Sequence, residues 1–138
     1  TKLTKIDLRR TQSVISKGKK LAIISVGTIQ EECKSAAKNK DVSLFDAFCL
    51  KPLDRTMYAE IFEQFSAVLV VEEAQETGGY GSAVMQLANE IGFRGIIKTM
   101  GIPDVFIGHA SIAEQRRFSG IDSLSIQSEI DSILNTIN

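Results

Sequence analysis

The chain has 138 residues, 43% of them hydrophobic, which suits the core of one domain and is too little for two. Its 16 basic and 17 acidic residues give a formal charge of -1 with no long block of either sign, so the electrostatic footprint of a nucleic-acid binder is missing. The longest apolar runs, at 21–26 and 67–71, fall far short of the roughly 20 residues a membrane span needs, and the polar, charged start is unlike a signal peptide. No nucleic-acid or membrane partner is expected, and the cytoplasm is the expected compartment.

Residues 1–10 read as a linker from a preceding domain, and 11–138 as the domain itself; the start at Thr1 without a methionine suggests a piece of something longer. Residues 12–16 are expected as an edge strand, joined to Leu21 by the turn Lys17-Gly18-Lys19-Lys20. Leu21-Ala22-Ile23-Ile24-Ser25-Val26, stopped by Gly27, has the unbroken apolar character of a central parallel strand covered on both faces. Thr28-Ile29-Gln30-Glu31 has the form of a capping box, and a helix through about Ala37 is expected after it. Residues 42–48 are β-branched and aromatic enough for a second strand, which Lys51-Pro52-Leu53 ends because proline cannot donate to a sheet.

Asp54 is the expected cap of the next helix, where Met57, Tyr58, Ile61, Phe62 and Phe65 recur at spacings of three and four and form one apolar face. A third apolar strand covers 67–71. The glycine turn Gly78-Gly79-Tyr80-Gly81-Ser82 follows, and after it come a helix bearing Ala83, Val84, Leu87, Ala88 and Ile91 and a strand over 95–100. Ser111-Ile112-Ala113-Glu114 repeats the capping-box form before a short helix ended by Gly120. Ile126, Ile130, Ile133, Leu134 and Ile137 mark an amphipathic terminal helix. Strands alternating with helices demand crossover connections, so the expected class is α/β: a three-layer sandwich around a mostly parallel sheet of about five strands, with one antiparallel edge strand.

The chemistry is thinner. Gly79, Tyr80, Gly81 and Ser82 sit where a parallel strand hands over to a helix, and free amides there can hold a phosphate or a carboxylate. Glycines at such a turn also serve positive φ and close packing with no ligand at all, and neither GxGxxG nor GxxxxGK[ST] is present, so both readings stay open. Glu72 and Glu73 lie at the carboxyl end of their strand, but neighbours in a strand point to opposite faces and do not converge on one atom. Structural roles are expected for them, accepting backbone hydrogen bonds or pairing with Lys51 or Arg55. His109, the one histidine, is a candidate substrate-side contact, although no serine or cysteine motif accompanies it. Arg116 and Arg117 are expected on a solvated helix face, with docking as the other use. Cys33 and Cys49 show no metal-type spacing and are expected as reduced structural thiols.

Several segments together carry a resemblance. Gly18-Lys19-Lys20 leading into 21–27, Lys51-Pro52-Leu53-Asp54, Val71-Glu72-Glu73, Gly78 to Val84, and above all Gly101-Ile102-Pro103-Asp104-Val105-Phe106-Ile107-Gly108-His109 resemble the C-terminal domain of the transketolase-like thiamine diphosphate enzymes. Within these the deoxyxylulose phosphate synthase family is nearest. Ala110 and Ala74-Gln75-Glu76-Thr77 depart from its pattern. The resemblance implies a parent using thiamine diphosphate and Mg²⁺ to join pyruvate to glyceraldehyde 3-phosphate for isoprenoid precursors. In that family a Gly-Asp-Gly motif, absent from this chain, holds the diphosphate and metal. No catalytic, cofactor-binding or metal residue is therefore expected in this piece, which would pack on the preceding domains of its chain, serve a homodimer, and be inactive alone. Two other readings stand beside this one. The first is a 2-oxoacid dehydrogenase β subunit or a split transketolase, and the second is an independent anion-binding module.

Overall fold

The computed structural model describes residues 12–15 and 18–138. The proposed linker at 1–10 lies outside the described residues.

The strands β1 (Gln12–Ile15), β2 (Leu21–Val26), β3 (Val42–Asp46), β4 (Ala67–Gln75) and β5 (Ile96–Ile102) form one sheet in the order β1-β3-β2-β4-β5. All pairs are parallel except β1 with β3. The edge strand thus pairs with β3 and not with β2, the strand that follows it in the chain. Its first residue, Gln12, lies opposite Asp46, the last residue of β3.

Alternation along the central strands splits the core in two. Leu21, Ile23, Leu44, Leu69 and Val71 face α1 (Gln30–Ala36) and α5 (Ser123–Ile137), where Ile126, Ile130 and Ile133 are buried. Ala22, Ile24, Val68 and Val70 face α2 (Arg55–Gln64) and α3 (Tyr80–Ile91), burying Tyr58, Ile61, Phe62, Val84 and Leu87. Helices on both faces of the sheet make the three layers, and unbroken apolar strands are what such double coverage requires. Among the described residues, no helix is long and apolar enough to cross a membrane.

Most local signals act as their chemistry dictates. Asp54 accepts the Met57 N–H at 3.0 Å as the cap of α2. Ser111 and Glu114 form the reciprocal capping box of α4 (Ile112–Ser119), which ends at Gly120 with φ +70°.

The box expected at Thr28 does not form. Gly27, at φ +75°, turns the chain into a 3-10 turn over Gly27–Ile29, so Thr28 is already wound up when α1 begins, and Ile29 precedes the helix without a side-chain cap. Thr28 Oγ1 donates instead to Glu73 Oε2 at 2.5 Å, while Glu31 pairs with Lys34. β4 also runs four residues past its apolar stretch. Its register shifts after Val71, and Gln75 and Glu76 then join Ile102 at the edge of β5.

Candidate functional site

Glu72 is the buried ionisable side chain of the sheet's carboxyl end, with 2% of its surface exposed. Three residues further on, β4 ends at Gln75, Gly78 then takes φ +76°, and α3 opens at Tyr80. The Tyr80 N–H donates to Glu72 Oε2 at 2.7 Å, and the Gly81 N–H reaches Oε1 at 3.5 Å. A buried carboxylate is costly unless hydrogen-bonded, and the positive end of a helix is a place that offsets the cost. The glycine turn therefore has its acceptor built in. The residues expected to hold a ligand, Gly79, Tyr80, Gly81 and Ser82, spend the amides of Tyr80 and Gly81 on the chain's own Glu72.

Close packing explains Gly79 and Gly81, while Gly78 serves the positive φ of the turn. A methyl group on Gly79 would overlap Glu72 Oε1 and approach the Gln75 carbonyl oxygen to 2.5 Å, and one on Gly81 would meet Thr99 Cγ2 at 2.6 Å. Ser82 Oγ accepts the Gly78 N–H at 3.2 Å. The Tyr80 hydroxyl lies 2.7 Å from that of Tyr58, and burial pushes its pKa up to about 12 against the pull of that hydrogen bond.

Glu73 points to the other face, as alternation requires, but its partner is neither Lys51 nor Arg55. Those residues belong to the α2 side of the sheet, where Arg55 pairs with Glu90 at 3.1 Å. Glu73 takes Arg116 in a two-pronged pair, Nε to Oε1 at 2.8 Å and Nη2 to Oε2 at 3.1 Å. The Arg116 hydrogen bond, aided by Thr28 and opposed by burial, holds the Glu73 carboxyl below its ordinary pKa.

Arg116 Nη1 also reaches Glu32 Oε1 at 3.4 Å, and Glu32 Oε2 accepts the Ser123 N–H at 2.8 Å. One guanidinium thus binds together α1, β4, α4 and the start of α5. The solvated helix face expected for Arg116 and Arg117 holds only for Arg117, because Arg116 has four acceptors within reach of its fork. Nothing local to Arg116 signals this, since its partners stand 43, 84 and 88 residues away along the chain.

His109 is exposed. It lines an open cleft of about 680 Å³ with Ile107, Ala110, Arg117 and Phe118. Beside it the loop after β5 carries Phe106, 97% exposed, and Phe118 on α4 is 82% exposed. Both cysteines are free thiols; burial and then Glu32 push the Cys33 pKa up to about 12, and Cys49 is half-buried. Among the described residues no group of three or more His, Cys, Asp or Glu is placed to hold a metal ion.

A family profile described as transketolase, C-terminal domain, matches residues 11–126. The chain belongs to that family. Proteins named 1-deoxy-D-xylulose-5-phosphate synthase are similar to this transketolase C-terminal domain over most of its length. That of Parabacteroides distasonis is 36% identical over 127 residues, covering 84% of this chain and 20% of its own. That of Thermotoga sp. is 37% identical over 110 residues, covering 80% and 18%. This chain spans about a fifth of the length of these curated relatives. A solved structure described as "Split gene transketolase, inactive beta4 tetramer" superposes with a TM-score of 0.85 at 24% identity, over 96% of this chain and 44% of that one. The fold is thus that of the transketolase C-terminal domain, as the glycine turn and the Ile-Pro-Asp segment had implied.

Proposed function

We propose that this domain is the C-terminal structural and assembly domain of a 1-deoxy-D-xylulose-5-phosphate synthase, a transferase joining pyruvate and glyceraldehyde 3-phosphate with loss of CO₂. The observation that carries the reading is the 36% identity to synthases across 84% of this chain, which extends through the Gly101 to His109 segment. When bound in the parent, thiamine diphosphate with Mg²⁺ supplies the electron sink for pyruvate decarboxylation. The residues of this chain do not fit that group, because the two turn amides suited to a diphosphate already bind Glu72. No acidic or histidine cluster able to hold the metal stands nearby among the described residues.

The part played by the domain is to pack on the preceding domains of its own chain, and through them to serve a cytoplasmic homodimer. Glu72 and the Arg116 pairs keep the carboxyl end of the sheet in one shape for that contact, and His109 belongs to the same exposed rim. The test is kinetic. Residues 1–138, supplied with thiamine diphosphate, Mg²⁺, pyruvate and glyceraldehyde 3-phosphate, are expected to form no deoxyxylulose phosphate, while the protein from the complete reading frame turns over. Turnover by the 138 residues alone sinks the reading.

A further inference from the structure

The exposed apolar side chains of this domain are not scattered. Of the nine large ones exposed among the described residues, Phe48, Leu50, Val105, Phe106, Ile112 and Phe118 lie on the loops that follow β3 and β5 and on α4. Those loops leave the carboxyl ends of their strands, and Arg116 ties α4 to the same end through Glu73 and Thr28. Concentrated apolar exposure of this kind marks a surface that another body covers.

The topology indicates which body. β1 is the antiparallel strand, and Gln12 sits opposite Asp46, so β1 starts at the carboxyl end of the parallel strands. Whatever precedes β1 therefore enters the domain at the end that carries the apolar rim. Relatives that align with this chain are about five times its length, so ample chain is available to cover it.

We infer that the carboxyl rim of the sheet, formed by the loops 47–54 and 103–110 with the outer face of α4, is the docking surface for the part of the same polypeptide that precedes β1. This rests on the proposed function, since it supplies the contact face for that assembly. A second copy of the domain is the competing occupant. It is disfavoured because the direction of β1 delivers the preceding chain to this same end. Contacts between domains of one chain typically cover about 600–1,500 Å², a scale that a rim with six large apolar side chains suits.

The test compares backbone hydrogen exchange in the protein made from the complete reading frame with that in the 138-residue chain, whose two buried clusters give it a core of its own. Peptides over 47–54 and 103–119 are expected to exchange at least tenfold more slowly in the complete protein, with 38–41 and 93–95 unchanged. The double variant Phe106→Asp, Phe118→Asp is expected to abolish that slowing while leaving the far-ultraviolet dichroism and the urea midpoint of the 138-residue chain as they were. Equal exchange at the rim in both proteins, or slowing at 38–41 and 93–95 instead, overturns the surface assignment and leaves the proposed function standing. Rim protection already present in the 138-residue chain, rising with its concentration alongside sedimentation as a dimer, overturns it in favour of the second copy. A reading frame with no domain ahead of β1 overturns both.

Discussion

The two ends of the sheet are built on different principles. At the amino end, the turns before β2, β3 and β5 are polar, with Lys19, Lys20, Lys38, Asp41 and Arg94 exposed, and they close backbone against backbone. The Lys40 N–H donates to the Ala37 carbonyl oxygen at 3.1 Å, the Ala67 N–H to that of Lys20 at 3.0 Å, and the Ile96 N–H to that of Ser66 at 3.1 Å. At the carboxyl end the connections after β3 and β5 are longer, the side chains of Glu72, Glu73 and Arg116 tie the elements together, and large apolar groups face outward. The contrast teaches that one end is closed by short polar turns on their own backbone. The other, held by charged groups that leave its loops free to vary, is where a partner can be met, as is general for open α/β sheets.

If the amino end is closed by backbone, the largest effect of a single methyl should be found there. A Cβ on Gly18 would overlap the Asp41 carbonyl and approach the Val42 nitrogen to 2.5 Å, and none of these atoms can rotate aside. Gly18→Ala is expected to cost about 3 kcal/mol, read as a lower urea midpoint with an unchanged slope. A loss under about 0.5 kcal/mol would erase the contrast, because it would mean that this end gives way easily.

How much of this was legible in the chain depends on how far a signal travels. Apolar strands, the Asp54 and Ser111 caps and the spacing of Tyr58, Ile61 and Phe62 act within a few residues, and from them alone the layers follow. The opposite directions of Glu72 and Glu73 follow from strand alternation. What occupies them does not, because Arg116 and Glu73 meet only after β5 and α4 have brought them together. Thr28 shows the same limit in reverse. A sound local motif lost to a distant carboxylate once Gly27 had turned the chain. The glycine turn was ambiguous for a third reason: an anion site and a packed turn use the same residues, and the carboxylate that distinguishes them comes from the preceding strand.

A smaller effect, and one that depends on pH, is expected where the carboxyl end is held by charge. Glu73→Gln removes a two-pronged, partly exposed pair and should cost about 1 kcal/mol at neutral pH after allowance for solvent screening. The folded-state pKa of Glu73 lies below its unfolded value, so its contribution is complete above the unfolded value of about 4.3 and is lost as pH falls through the lower folded one. Wild type and Glu73→Gln should therefore differ in denaturation midpoint at pH 7 and converge only as pH falls from the unfolded value through the lower folded one. A difference that is unchanged at low pH would assign the effect to packing rather than to the ion pair, and charge would no longer separate the two ends.

The smallest expected effect on stability is at the most exposed side chain. Phe106 is 97% exposed, so replacing it buries no charge and opens no cavity. Surface substitutions away from caps and networks usually stay within about 0.5 kcal/mol, and Phe106→Asp should do so in the 138-residue chain. Relief of an exposed apolar group is also expected to raise its solubility. A loss of 2 kcal/mol or more, measured by urea denaturation, would mean that the loop after β5 packs on this domain in solution. The rim would then be part of the fold, like the turns at the amino end, and the division between an end that folds and an end that docks would collapse.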